Sequence, residues 1–166
     1  MTRSWTSNSC HYELGDGYQA ATLPLAPFGK ARPRVTVKGT YMPAAYEQAR
    51  HALRTLFGSV VVRPPWRVRV TAIHKMPASW SKKKRAESNG KWCTSKPDID
   101  NCIGGVMDAI FDEDAAVVSV AGLKRWGEQA ALKVEIWTAG RPDIELWEVN
   151  ADERAIDGNE LLAGLE

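Results

Sequence analysis

Apolar and polar residues alternate along four stretches of the chain and take the wider spacing of a helix along two others. Residues 66–74 alternate most regularly. Trp66, Val68, Val70 and Ala72 fall on one side of an extended chain, and Arg67, Arg69 and Thr71 mostly on the other, the period-two pattern of a half-buried strand. Residues 131–137 repeat it, with Leu132, Val134 and Ile136 set against Lys133 and Glu135. Residues 18–25 and 117–124 read as two further strands, and Gly127 stands where a hairpin between the last two would turn. After Pro43, Tyr46, Ala49, Leu53, Leu56 and Phe57 recur at 3.6-residue spacing, and Gly58 ends the run, which predicts a helix. Ile99, Ile103, Val106, Met107 and Ile110 form a second apolar stripe and predict a helix over 98–111. This tally belongs to the α/β (α+β) class: a small two-layer sandwich of a mixed sheet with two main helices.

The remaining segments lack that periodicity. Residues 1–17 are expected to be irregular, the sandwich to occupy 18–139, and 140–166 to form a C-terminal tail that could hold a short helix over 159–165. Between strand and first helix lies a basic segment, Lys30, Arg32, Arg34 and Lys38, with Val35 and Val37 expected to alternate beneath it. A chain of 166 residues suits one domain with its own core. No run of apolar residues approaches the roughly 18 that a membrane helix needs, and residues 1–10 lack the apolar core of a secretory signal. Cys10, Cys93 and Cys102 cannot all pair and match no zinc spacing, so reduced thiols and a cytoplasmic location are expected.

Charge changes the picture through its distribution. The net charge is only +2, but residues 140–166 hold eight acidic and two basic residues, which leaves +8 on the body. A basic body suits a polyanionic partner. Residues 75–96 concentrate that charge: Lys75, Lys82, Lys83, Lys84, Arg85, Lys91 and Lys96 stand against the single acid Glu87, with Trp80 and Trp92 between them. Phosphates call for cations, and an exposed indole can stack on an unpaired base. A solvated lysine-rich loop whose tryptophans pack on the body has the same composition.

The candidate chemistry lies at the start of the second helix. In Lys96-Pro97-Asp98-Ile99-Asp100-Asn101, proline and the Asp/Asn cluster are residues expected where a loop enters a helix. Asp98 and Asp100 are two positions apart where the backbone is not yet fully helical, so both side chains can reach one point. Asp112-Glu113-Asp114 follows where the helix gives way to a strand, and Asp114 returns to the same place if the two elements pack suitably. Three carboxylates would suit Mg²⁺ or Mn²⁺, and with it phosphodiester hydrolysis. From spacing alone, helix capping by the first two and a solvated acidic turn is the commoner arrangement, because Asp is frequent at helix starts. His11, His51 and His74 are dispersed and carry no assigned role, Cys102 has no histidine at an obvious partner spacing, and Gly104-Gly105 lacks a phosphate-loop pattern.

The order of these pieces resembles the RusA family of Holliday-junction resolvases. The resemblance runs over about residues 20–137: Arg32-Pro33-Arg34 with Thr40-Tyr41 and Pro43, the loop from Met76-Pro77 to Lys84, Lys96-Pro97-Asp98-Ile99-Asp100-Asn101, Asp108-Ala109-Ile110, Asp112-Glu113-Asp114, Val117 and Lys124. It implies a small mixed fold, a homodimer, Mg²⁺-dependent paired nicking of four-way DNA junctions in recombination and repair, and Asp98, Asp100 and Asp114 as catalytic metal ligands. Arg32, Arg34, Lys75, Lys82, Lys83, Lys84, Arg85, Lys91, Lys96 and Lys124 become the expected DNA contacts. One position departs: the family pattern carries a lysine three residues after the motif's asparagine, and here that residue is Gly104. Close packing or loss of a functional side chain would each explain a glycine there. Two alternatives to a junction-resolving nuclease therefore stand beside it: a junction-binding protein with weak or no cleavage, and a metal-dependent nuclease acting on flaps or forks.

Overall fold

The computed structural model describes residues 3–7 and 10–140. Its elements run β1 (Arg3–Ser7), β2 (Cys10–Gly15), β3 (Tyr18–Leu23), β4 (Arg34–Thr36), β5 (Gly39–Tyr41), α1 (Ala44–Phe57), β6 (Trp66–Lys75), α2 (Lys82–Ser88), α3 (Ile99–Ile110), β7 (Val117–Gly127) and β8 (Ala131–Thr138). Six strands form one sheet in the order β1-β2-β3-β8-β6-β7, and β4 pairs with β5 in a separate hairpin. All neighbours in the large sheet are antiparallel except β6 and β7. The fold is the expected α+β sandwich with a mixed sheet.

The alternating residues 66–74 fall in β6, which lies between β8 and the edge strand β7. Val68, Val70 and Ala72 are fully buried and join Leu132, Val134 and Ile136 of β8 as the sheet's contribution to the core. Leu53 and Phe57 of α1 and Cys102, Val106 and Ala109 of α3 close it from above. Apolar burial of this kind contributes roughly 25 cal/mol per Å² and dominates the stability of such a layer.

Three expectations are corrected. Residues 3–7 and 10–15 are not irregular: they form β1 and β2, which extend the sheet beyond β3. The cue was Asp16-Gly17, a two-residue connection with Gly17 at φ 68° that joins Gly15 to its partner Tyr18, as hairpins favour. Tyr12 then secures β2 to the helical layer by donating its hydroxyl to the Leu56 carbonyl at 2.5 Å. Second, β7 and β8 form no hairpin, because β6 lies between them and residues 128–130 pass across its end. The parallel pairing of β6 with β7 needs a long crossover, which α2 and α3 supply. Third, Val35 and Val37 do not sit beneath the basic segment. Every residue of β4 and β5 is exposed, and both valines face solvent.

The basic stretch 75–96 is also not wholly a loop. Lys82–Ser88 form α2, whose first turn is capped by Ser81 accepting from the Lys84 amide at 3.2 Å. Among the described residues no helix is long and apolar enough to cross a membrane. Cys10, Cys93 and Cys102 are buried and form no disulfide with one another. The acidic tail, with the short helix expected in it, lies from residue 141 onward outside the described residues.

Candidate functional site

The Lys96–Asn101 run enters α3 as its composition predicts. Asp98 has extended backbone angles (φ −68°, ψ 154°) and occupies the position before the helix, where its carbonyl accepts from the Cys102 amide at 3.0 Å. Its carboxylate caps nothing: no side-chain capping bond is formed. It takes the ammonium of Lys96 instead. That hydrogen bond, with the charges of Lys96 and Lys124, holds the Asp98 carboxyl below the usual carboxylate range. Asp100 follows in the first turn.

Asp98 and Asp100 line one cavity of about 410 Å³, together with Ile99, Trp92, Cys93, Gly122, Leu123 and Lys124. Its far wall is β7, held close because Gly122 has no side chain. A Cβ there would stand 2.7 Å from Ile99 Cγ1 and 2.8 Å from Ile103 Cδ1. Lys124 lies across from the carboxylates and donates to the Ser95 carbonyl. The mouth therefore combines two exposed carboxylates with two ammonium groups and an indole.

Asp114 is not among the residues lining this cavity. Helix and strand do pack as neighbours, but they run in opposite directions. The turn that carries Asp114 is at the far end, where its carbonyl accepts from the Val117 amide at 2.8 Å. The 12 residues of α3 place about 18 Å of helix axis between that turn and Asp98. Among the described residues, no three His, Cys, Asp or Glu side chains are grouped closely enough to hold a metal ion. Asp112 is engaged elsewhere, by Arg54 of α1.

The two glycines inside α3 have a packing reason. A Cβ on Gly105 would stand 3.0 Å from Phe28 Cε2, and one on Gly104 would stand 3.2 Å from Lys30 Cδ and 3.4 Å from its Cβ. Residues 28–30 lie against this face, fixed by the Lys30 amide donating to the Asn101 carbonyl at 2.8 Å. The Lys30 stem thus covers the spot where a side chain at 104 would begin, and its ammonium reaches Asp108 Oδ1 at 3.0 Å. Tyr46 donates to the other oxygen of Asp108 at 2.8 Å, and burial together with that carboxylate pushes its phenol up to about 12. Lys30 was not singled out as a site residue by its sequence position, because nothing there signals that it folds onto α3.

The other expected DNA contacts differ in how they are held. Arg32 and Arg34 are exposed at the separate hairpin. Lys75, Lys82 and Lys91 are exposed, and Lys83 pairs loosely with Glu87 at 4.0 Å. Lys84 lies over the Trp80 ring at 4.1 Å, and Arg85 is taken by Glu128. Trp80 itself packs edge-on against Trp126, ring centres 5.1 Å apart. Trp92, by contrast, is 64% exposed.

The family model for the endodeoxyribonuclease RusA matches residues 24–137. The chain belongs to the RusA family. That span runs from the residue after β3 to the penultimate residue of β8 and includes the whole Asp98–Asp100 cavity. Membership makes this a family of endodeoxyribonucleases that resolve Holliday junctions, and it accounts for a basic body around two carboxylates. No curated protein matches the chain. Strands β1, β2 and β3 lie before the matched span.

Proposed function

We propose that this protein is a Mg²⁺-dependent endonuclease that nicks paired strands of four-way DNA junctions, working in the cytoplasm as a homodimer. The observation that carries the reading is the pair of carboxylates, Asp98 and Asp100, at one cavity flanked by Lys96 and Lys124, with Asp98 free of any capping duty. Two hard oxygen donors suit Mg²⁺, which takes one or two carboxylates and fills its shell with water and phosphate oxygens. A divalent ion held there supplies charge neutralisation at a phosphodiester. The chain's own part is positional. Lys124 and Lys96 attract the backbone phosphate, β7 and α3 fix the separation of cation and carboxylate, and the exposed lysines of α2 extend the positive surface.

Asp114 enters this reading as the third ligand, contributed across the dimer. Within one chain it stands a helix length from the cavity, whereas two-fold symmetry brings equivalent surfaces together. In this arrangement Asp114 of the partner subunit completes the site, and each junction-bound dimer carries two such sites.

The second reading, a junction-binding protein with weak or no cleavage, is favoured by Gly104. Lys30 weighs against it. Its stem occupies the space beside Gly104, midway along a helix face that also bears Asp100 and Asp108 four residues to either side, so the face retains a lysine from another element. The test is a labelled four-way junction incubated with the protein in Mg²⁺, Mn²⁺ or EDTA, with binding and nicking scored separately. Symmetric metal-dependent nicks support the enzyme. Tight binding with no nick in either metal selects the second reading.

A further inference from the structure

Trp92 differs from the other described tryptophans that have an evident packing role. Trp66 donates to the Val62 carbonyl at 2.8 Å and lies on Phe111, Trp80 packs on Trp126, and Trp137 sits beside Tyr18. Trp92 leaves 64% of its surface exposed. Such exposure of an indole gives up several tens of Å² of apolar burial.

The ring is nonetheless held. Residues 90–93 run along β7: the Gly90 amide donates to the Trp126 carbonyl at 2.9 Å, the Trp126 amide to the Lys91 carbonyl at 2.9 Å, and the Cys93 amide to the Lys124 carbonyl at 3.0 Å. Trp92 itself is bridged to Arg125. The Arg125 guanidinium, in a residue only 9% exposed, covers one ring face with its carbon 5.1 Å from the ring centre. A buried cation behind an indole fixes its tilt and leaves the opposite face for another flat group. That indole lines the same cavity as Asp98, Asp100 and Lys124.

We infer that Trp92 is a stacking platform for an unpaired nucleobase, which places the neighbouring backbone phosphate beside the Asp98–Asp100 pair. The inference rests on the reading of that cavity as the cleavage site. Bases are stacked and paired along a continuous duplex and offer no free face, whereas the crossover of a branched DNA can release one. The platform is therefore a determinant of preference for branched over linear DNA. Stacking of this kind, lost on truncation to alanine, is worth about 5- to 150-fold in affinity.

The test compares wild-type protein with Trp92→Ala, Trp92→Phe and Trp92→Leu at fixed salt in EDTA, so that no cleavage intervenes. Affinity is measured for a four-way junction and for a linear duplex of the same sequence. A 2-aminopurine placed at each crossover position in turn reports on stacking. Trp92→Phe should keep most of the junction preference and the fluorescence change, while Ala and Leu lose both and leave duplex affinity within about twofold. Leucine is the structural control, since it retains apolar bulk without a π face. Equal weakening on junction and duplex, or full preference in the Leu variant, overturns the proposal. Nicking by wild-type protein in Mg²⁺ is scored alongside, so failure of the nuclease reading shows as no nicks whatever Trp92 does.

Discussion

Gly122 of β7 packs directly under Ile99 and Ile103 of the helix that carries the carboxylates, and replacing it with alanine tests whether that contact sets the site. The new Cβ would meet Ile99 Cγ1 at 2.7 Å, Ile99 Cδ1 at 2.8 Å and Ile103 Cδ1 at 2.8 Å. All three distances are below what real Cβ atoms tolerate, so the first turn of α3 must lift or both isoleucines must turn. Overpacking of this kind costs about 1–3 kcal/mol. For a chain of 166 residues that corresponds to a fall in Tm of roughly 2–12 °C. Because Ile99 lies between Asp98 and Asp100, the lift also moves the carboxylates, and nicking should fall more than junction binding does. Urea unfolding followed by circular dichroism gives the stability change as a shift of midpoint at constant slope. Gly140→Ala is the control, since no atom lies within 4 Å of its added Cβ. Adding Ile103→Val removes one of the clashing methyls and should restore part of the loss, a favourable coupling in the double-mutant cycle. Gly122→Ala as stable and active as Gly140→Ala would refute the packing argument.

Further outcomes follow from the same geometry. Lys30→Ala should slow nicking of bound junction while leaving the fold intact, and Gly104→Lys added to it should recover activity because the vacated space can now take a lysine stem; nicking rates and Tm of the single and double variants decide it, and no loss in Lys30→Ala ends that role. Asp100→Asn and Asp114→Asn proteins, each inactive alone, should regain roughly a quarter of the wild-type sites when unfolded and refolded together at equal amounts. No recovery in a mixed dimer shown to form would place all three ligands in one chain. Lys82, Lys83 and Lys84 changed together to Ala should reduce the slope of log affinity against log salt by up to about 2.7, and an unchanged slope would return α2 to ordinary solvated surface.

The parts legible from sequence are those where one period dominates. The buried residues of α3 lie along one face, and Val68, Val70 and Ala72 of β6 line the core, so the apolar residues repeat at 3.6 and at two, and the two-layer class follows from them. That Asp98 and Asp100 share one cavity was legible for a related reason: paired acids at a helix entrance are local, and two residues of chain fix their neighbourhood. What escaped depends on distant pairings. No local pattern says that β6 inserts between β7 and β8, because each strand alternates in the same way whoever its neighbour is. β2 was missed although Asp16-Gly17 marked its turn, since its partly exposed residues dilute the alternation. The place of Asp114 turned on the direction in which α3 crosses β7, which spacing does not contain. Gly104 and Gly105 took their meaning only from Phe28 and Lys30, more than seventy residues earlier. Trp80 and Trp92 looked alike between the same lysines, and only the fold separates the one packed on Trp126 from the one left open at the cavity.

The role of the Asp98–Asp100 cavity in cleavage is decided by comparing wild-type protein with Asp100→Asn on one labelled four-way junction, at one salt concentration, in Mg²⁺ and in EDTA. The substitution keeps the shape of the side chain and removes its charge, while the basic surface that supplies most affinity is untouched. Asp100→Asn should bind the junction at least as tightly as wild type and lose Mg²⁺-dependent nicking completely. An Asp100→Asn protein that still nicks at the wild-type rate would contradict that role and move the chemistry away from this cavity.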